Sequence, residues 1–163
     1  MMNRPQNEMD LYYTYGRFEE AIDALVNDIV SSGFSPDVIL APLRGGAIPA
    51  TFLSYRLSDK LEKDIRVYAF EAGREYALSR KDAERIAEMG YFGKNLLWVD
   101  DIVDSGDTLR EFMNYPPNGT MWKDSLMTAT LIWNEDCGIQ PDFYAEKINR
   151  STFPDYIVFF WEQ

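Results

Sequence analysis

Thirteen residues constrain this chain more than any others: Leu97-Trp98-Val99-Asp100-Asp101-Ile102-Val103-Asp104-Ser105-Gly106-Asp107-Thr108-Leu109. A continuous apolar run of this kind reads as a strand buried on both faces, the usual state of a parallel strand. Here it delivers two adjacent acids to the strand's C-terminal end. A small turn, Asp104-Ser105-Gly106, then opens a helix over Thr108 to Met113. In open α/β sheets, ligands bind outside the carboxyl ends of strands. Helix N-terminal N–H groups facing such a turn form an anion cradle. Gly106 lets the backbone approach the anion, and Ser105 and Thr108 add hydroxyl donors. Acids beside a phosphate repel it unless they bind hydroxyls or a hard cation, and a sugar phosphate with magnesium supplies both.

The surrounding pattern agrees with an α/β domain. Phe18, Ile22, Leu25, Val26, Ile29 and Val30 share one helical face, which Gly33 and Pro36 terminate. Val38 to Ala41 is a second buried strand. It runs into the turn Pro42-Leu43-Arg44-Gly45-Gly46, followed by a helix with Ile48, Phe52 and Tyr55 on one side. Further strands are expected at Ile65–Phe70, Leu96–Val99, Leu126–Trp133, Phe143–Ala145 and Tyr156–Phe160. From Glu71 to Lys94 the chain is charged and carries Gly73, Gly90 and Gly93. It reads as a long lid-like loop, with a helical stretch around Lys81–Met89. Pro116-Pro117-Asn118-Gly119 is a break. Strands alternating with helices predict a mainly parallel sheet flanked by helices. The length, 163 residues, suits one domain over 1–163.

Composition removes several classes of function. The net charge is -11, which disfavours nucleic acid and anionic membranes as partners. No histidine is present, so Ser-His and Cys-His hydrolases and histidine-ligated zinc are excluded. Cys137 is the single cysteine, so no intramolecular disulfide forms, which suits a reducing compartment. No run approaches the roughly 18 apolar residues of a membrane span. The first ten residues are polar and lack a signal-peptide core. A cytoplasmic protein is expected.

The segment Leu97–Leu109 resembles the phosphoribosyl-diphosphate signature of type I phosphoribosyltransferases: apolar strand, two acids, two apolar residues, then Asp-Ser/Thr-Gly-x-Thr. That resemblance implies that Asp100 and Asp101 contact ribose hydroxyls and a magnesium ion. It implies that Asp104, Ser105, Gly106, Asp107 and Thr108 cradle the 5′-phosphate. The second turn, Arg44-Gly45-Gly46 with Pro49 beyond it, resembles the diphosphate loop of purine phosphoribosyltransferases. Its glycines expose N–H groups and Arg44 adds a charge. The C-terminal stretch Asp155–Glu162 resembles the base-covering end of small xanthine and hypoxanthine-guanine phosphoribosyltransferases. There Tyr156 is expected to stack on a purine and backbone near Ile157 to read its edge.

The implied fold is the type I phosphoribosyltransferase sheet with a small base-covering hood. The implied reaction is magnesium-dependent transfer of phosphoribosyl from phosphoribosyl diphosphate to a 6-oxo purine, with diphosphate released, in nucleotide salvage. Asp104 is the candidate to hold or take a proton at the base, and Tyr76, Ser79 and Arg80 are candidate closing contacts. The resemblance also implies a homo-oligomer, a dimer or tetramer. In one respect the chain departs from the family: a lysine usually follows the strand Leu126–Ile132, and here Trp133-Asn134 stands there. Asn134 is the nearest polar substitute. Without a lysine charge, a neutral 6-oxo purine is expected over xanthine.

Competing readings of the same residues are plainer. Thr108 and Glu111 can form a capping box, and Asp100 and Asp101 can be solvated strand-end acids. An Asp-Asp-x-x-Asp motif also binds magnesium diphosphate in terpenoid synthases, but within a helix rather than after a strand. At the level of function, the alternatives are a non-catalytic regulator that senses phosphoribosyl diphosphate or a nucleotide, and a hydrolase of a phosphorylated sugar.

Overall fold

The computed structural model describes residues 10–72, 78–114 and 125–163. In chain order the elements are β1 (Asp10–Tyr13), α1 (Tyr15–Ser31), β2 (Val38–Leu43), α2 (Ala47–Leu61), β3 (Arg66–Glu71) and α3 (Arg80–Tyr91). They continue with β4 (Leu96–Val103), α4 (Asp107–Asn114), β5 (Leu126–Asn134), β6 (Phe143–Ile148) and β7 (Tyr156–Phe159). The expected break at Pro116–Gly119 and the closing contact Tyr76 lie outside the described residues.

Five strands form a parallel sheet in the order β3-β2-β4-β5-β6. Its central strands are buried on both faces, and alternation sorts their side chains. Ile39, Ala41, Leu97 and Val99 pack with Phe18, Ile22, Leu25, Leu53 and Leu57 of α1 and α2. Leu40, Leu96 and Trp98 face the other way, onto Ile86 of α3 and Leu109 and Phe112 of α4. This is the two-sided burial that the apolar runs predicted.

Chain order reverses between β2 and β4. From β2 the chain moves outward to β3, then crosses back to β4, β5 and β6. The ladder joining β2 to β4 ends at Leu40 and Trp98. Past that rung β2 continues to Leu43 and β4 to Val103, so a crevice opens between their C-terminal ends.

Several expectations need correction. The acids are not beyond strand β4 but inside it, since the strand runs on to Val103 and Asp100 pairs in register with Thr130. The turn after β2 starts later than predicted, because Pro42 and Leu43 remain in ladder with Phe70 and Glu71 of the edge strand. Tyr55 is 75% exposed; Ala50, Leu53 and Leu57 carry the buried face of α2 instead. Val30 of α1 also faces outward. Within the supposed loop 71–94 the helical stretch expected at Lys81–Met89 is longer, running over α3 and anchored by Ala83, Ile86 and Gly90. Ser79 caps that helix by accepting from the Asp82 N–H at 3.1 Å, and Arg80 pairs with Glu84 at 2.7 Å. Both therefore serve α3's first turns. Because α4 begins at Asp107, Thr108 lies within the helix and not at its cap.

A second, two-stranded parallel sheet joins β1 to β7, bringing together the two ends of the described chain. The short strand β1 was not foreseen. An aromatic cluster fixes this hood to the helices. Phe18 packs edge-on against Phe52 at 4.9 Å, Phe160 at 5.5 Å and Trp161 at 5.5 Å, while Trp161 stacks on Phe159 at 4.7 Å. Tyr13 donates to Glu146 at 2.9 Å, and Arg17 forms an ion pair with the same carboxylate.

Phe18 is fully buried at the centre of that cluster. Phe18→Ala is expected to lower the unfolding free energy by about 3–5 kcal/mol, as measured by denaturant titration.

Candidate active site

A cavity of about 390 Å³ occupies the crevice between β2 and β4, and the hood closes one side of it. Its walls include Arg44 and Gly45 after β2, Asp100 and Asp101 of β4, Asp104 and Thr108 at the head of α4, and Tyr156 and Ile157 of β7. Residues from all three sequence motifs thus meet in one place. A smaller hollow of about 100 Å³ adjoins it, lined by residues 104–109 together with Trp98 and Asp100.

The two acids are each 9% exposed. They project from opposite faces of β4. Asp101 lies against the loop after β2, and Asp100 borders the hollow at the 104–108 turn. The Asp101 N–H donates to Asp100 Oδ1 at 3.0 Å, and the Ile102 N–H donates to Asp101 Oδ1 at 2.7 Å. Burial pushes the Asp100 carboxyl well above the usual range, with the Asp101 charge adding to it. Burial raises Asp101 to about 6, helped by the nearby Glu162. Solvated strand-end acids would show neither the burial nor the shift.

Glycine is required in the loop after β2 by packing. A Cβ on Gly45 would stand 2.5 Å from Asp101 Oδ1, and one on Gly46 would stand 2.4 Å from the Val99 carbonyl oxygen. The pair brings the Arg44 loop directly onto the acids. Gly106 has φ +78°, the left-handed region that favours glycine. A Cβ there would meet Ile139 at 2.5 Å, so a bulkier residue disturbs the protein itself as well as any ligand. Ser105 Oγ donates to Asp107 Oδ2 at 2.8 Å and accepts from the Asp107 N–H, and Arg110 clasps the same aspartate. These contacts hold the turn in shape, leaving the N–H groups of α4's first turn without intrahelical acceptors.

Asn134 departs from its expected place. It is 6% exposed and does not line the cavity. Its Nδ2 donates to the Asp104 carbonyl at 3.0 Å, and its Oδ1 accepts from the Asp136 and Arg150 N–H groups. It ties the end of β5 to two neighbouring loops.

Sequence reasoning missed Arg150, which does line the cavity. Its Nε donates to Asp104 Oδ1 at 2.8 Å and its Nη2 to Asp104 Oδ2 at 3.0 Å, a bidentate pair. Nη1 donates to the carbonyls of Phe153 and Asp155, just ahead of Tyr156. Nothing in local sequence signals this, because the partners lie 46 residues apart. Glu162 was also missed. It borders the cavity while accepting from the Phe159 N–H at 3.0 Å.

Among the described residues, no group of three or more acidic or cysteine side chains could hold a metal by itself. The donor set fits magnesium only in its usual mode, with one or two carboxylates and the remaining positions filled by substrate oxygens and water.

A family described as phosphoribosyl transferase domain matches residues 9–162. Over 84 residues the chain is 34% identical to a xanthine-guanine phosphoribosyltransferase of Roseobacter denitrificans, a stretch covering 49% of this chain and 48% of that protein. The chain thus spans about half the length of the curated relatives it matches. A purine phosphoribosyltransferase from Pyrococcus horikoshii superposes with a TM-score of 0.68 at 24% identity, covering 94% of this chain and 95% of that one. A protein from Neisseria gonorrhoeae with bound ppGpp superposes with a TM-score of 0.70 at 22% identity, covering 97% and 92%. At these identities the likeness is one of fold. No described helix is long and apolar enough to cross a membrane.

A carboxyl whose pKa rises on folding keeps its proton more firmly in the folded state. Its contribution to stability is complete below the unfolded value near 3.8 and is lost as pH rises through the folded value near 6. Asn cannot ionise and retains an Oδ1 acceptor for the Ile102 N–H. Asp101→Asn is therefore expected to melt higher than the unaltered protein at pH 7.5 in metal-free buffer. The gap should open between pH 4 and 6 and vanish at the acid end. A gap independent of pH would show that ionisation is not what the site costs.

Proposed function

Because the chain belongs to the phosphoribosyl transferase domain family, we propose that it transfers the phosphoribosyl group of phosphoribosyl diphosphate to a 6-oxo purine. One observation carries this reading. Two glycine turns from neighbouring parallel strands converge on a buried acid pair at the sheet's switch point, beneath an aromatic hood. A substrate with two separate phosphate groups on one ribose needs two such cradles. The xanthine-guanine activity named for the curated relatives supports a purine as acceptor. The same reading takes the chain, 1–163, as one domain, working as a homo-oligomer in the cytoplasm in nucleotide salvage.

In the reaction the bond from the anomeric carbon to diphosphate oxygen breaks, and a bond to a purine ring nitrogen forms. Transfers of this kind pass through an oxocarbenium-like state. The turn Asp104–Thr108 holds the 5′-phosphate on backbone N–H groups and the Ser105 and Thr108 hydroxyls, while the Asp107 side chain keeps the turn in shape. Asp100 and Asp101 hold the ribose hydroxyls. Arg44, with the N–H groups of Gly45 and Gly46, holds the diphosphate and its developing charge. Magnesium, when bound with the substrate beside Asp100 and Asp101, supplies charge neutralisation of the leaving diphosphate. Tyr156, 47% exposed at the cavity edge, provides a stacking face, and the Ile157 backbone meets the base edge. Asp104 holds or takes the proton displaced from the purine.

The test is direct. Protein, phosphoribosyl diphosphate, magnesium and a mixture of purines and pyrimidines are incubated, and the nucleotide formed is identified. A purine nucleoside monophosphate with stoichiometric diphosphate is expected. Binding without any nucleotide formed points to the regulatory reading, and diphosphate released without base points to hydrolysis. Asp104→Asn is expected to reduce turnover about 100-fold while changing the KM for phosphoribosyl diphosphate little, since proton help appears mainly in the transition state.

A further inference from the structure

We propose that Arg150 reads the O6 and N7 edge of the purine and sets the preference for a 6-oxo base, taking the part expected of Asn134. This rests on reading the cavity as the purine phosphoribosyl site. Two guanidinium groups line that cavity among the described residues, set against the carboxylates of Asp100, Asp101, Asp104 and Glu162. Arg44 stands on the β2 side, beside Gly45, where the diphosphate belongs. Arg150 stands on the hood side, beside Asp104 and the segment leading into Tyr156. The base end of the cavity therefore has its cation, and Arg150 supplies it.

The chemistry suits the group. A 6-oxo purine presents two adjacent acceptors, O6 and N7, and a guanidinium offers paired donors at matching separation. A 6-amino purine replaces the O6 acceptor with a donor, which a group without any acceptor repels. Arginine is held ready for this. Asp104 occupies Nε and one N–H of Nη2, and the Phe153 and Asp155 carbonyls occupy Nη1. A guanidinium carries five N–H donors. These four contacts leave one further N–H, on Nη2, for the first of the two acceptors; the second is served when a donor passes from Asp104 to the base. Asn134 cannot serve, since it is buried and bonded to three backbone groups. A permanent cation at this edge also accommodates the partly anionic xanthine. The handicap expected for xanthine from the missing lysine is thereby lifted.

Specificity constants for hypoxanthine, guanine, xanthine and adenine are measured for the unaltered protein, Arg150→Met and Arg150→Lys. Calorimetric affinities for inosine and adenosine monophosphates are measured alongside. In Arg150→Met the ratio of oxo to amino purine is expected to fall at least about tenfold in both measurements, the scale of one lost bidentate contact. The KM for phosphoribosyl diphosphate should change little. Arg150→Lys, which keeps charge but loses the fork, should fall between the two and should keep xanthine use better than Arg150→Met. If Arg150→Met does not fold, the lysine variant decides by the same ratio. Oxo and amino purines falling together, or a ratio that stays put, would assign Arg150 a purely structural part and overturn the proposal. An unaltered protein that prefers adenine would overturn it too. An unaltered protein that neither makes nor binds any of these nucleotides would overturn the phosphoribosyl reading itself, and this proposal with it.

Discussion

Two carboxylates inside a parallel sheet are the feature to which the rest of this protein answers. Asp100 and Asp101 occupy ladder positions of β4, a strand buried on both faces, and carry pKa values raised mainly by burial. Desolvating an acid is unfavourable unless something arrives to use it. The sheet permits that arrival because β2 and β4 part company after Leu40 and Trp98. Had the ladder continued, β2 would have sealed the acids from any ligand. The absence of Cβ atoms at Gly45 and Gly46 completes the arrangement, since it lets the Arg44 loop lie against Asp101 and the Val99 carbonyl.

The hood depends on contacts far apart in sequence. β1 and β7 pair in parallel, Asp10 opposite Tyr156 and Tyr13 opposite Phe159. Such a small pair of strands has little stability of its own. Phe18, Phe52, Phe160 and Trp161 give it an apolar footing on α1 and α2. Phe160 thereby serves as a packing residue against Tyr15 and Phe18. Arg150 makes a second tie, from Asp104 to the carbonyls before Tyr156. Hood position and the 104–108 turn are thus mechanically joined.

What the sequence showed and hid follows from the range of the interactions involved. The parallel sheet was legible because the runs Val38–Ala41 and Leu96–Val99 are apolar on both faces, a pattern carried within each strand. The head of α4 was legible because Gly106 and the residues around it form a local turn. The strand β1 was hidden, since four residues without a core-facing run acquire meaning only against β7. The face of α2 was misjudged because aromatic Tyr55 outweighed the small Ala50, while tight packing on β2 and β4 favours the small residue. Asn134 was misplaced because position along β5 indicates where the backbone goes but not which loops fold over it. Arg150 had no local signal at all; its role exists only through Asp104, on another strand's loop.

The Asp104–Arg150 clasp joins two assignments that at first compete. A carboxylate with both oxygens held by a guanidinium keeps further lone pairs but is a weaker base for a purine proton. In the proposed reading, a base placed between Tyr156 and the 104–108 turn changes that balance, because its O6 and N7 offer the guanidinium new acceptors. Each donor that Arg150 gives to the base is one it need not give to Asp104. Arrival of an oxo purine thereby loosens the hold on a carboxylate oxygen beside the ring that must lose a proton, whereas an amino purine offers N7 alone as an acceptor and loosens it less. Recognition and proton handling are then one exchange of hydrogen bonds. The specificity comes from differential interaction in the site and not from shape alone. A net charge of -11 on the whole chain is compatible with an anionic substrate for the same reason. In the proposed reading, what the substrate meets is a set of backbone N–H groups and the two guanidinium groups of the cavity wall, Arg44 at the diphosphate and Arg150 at the base edge.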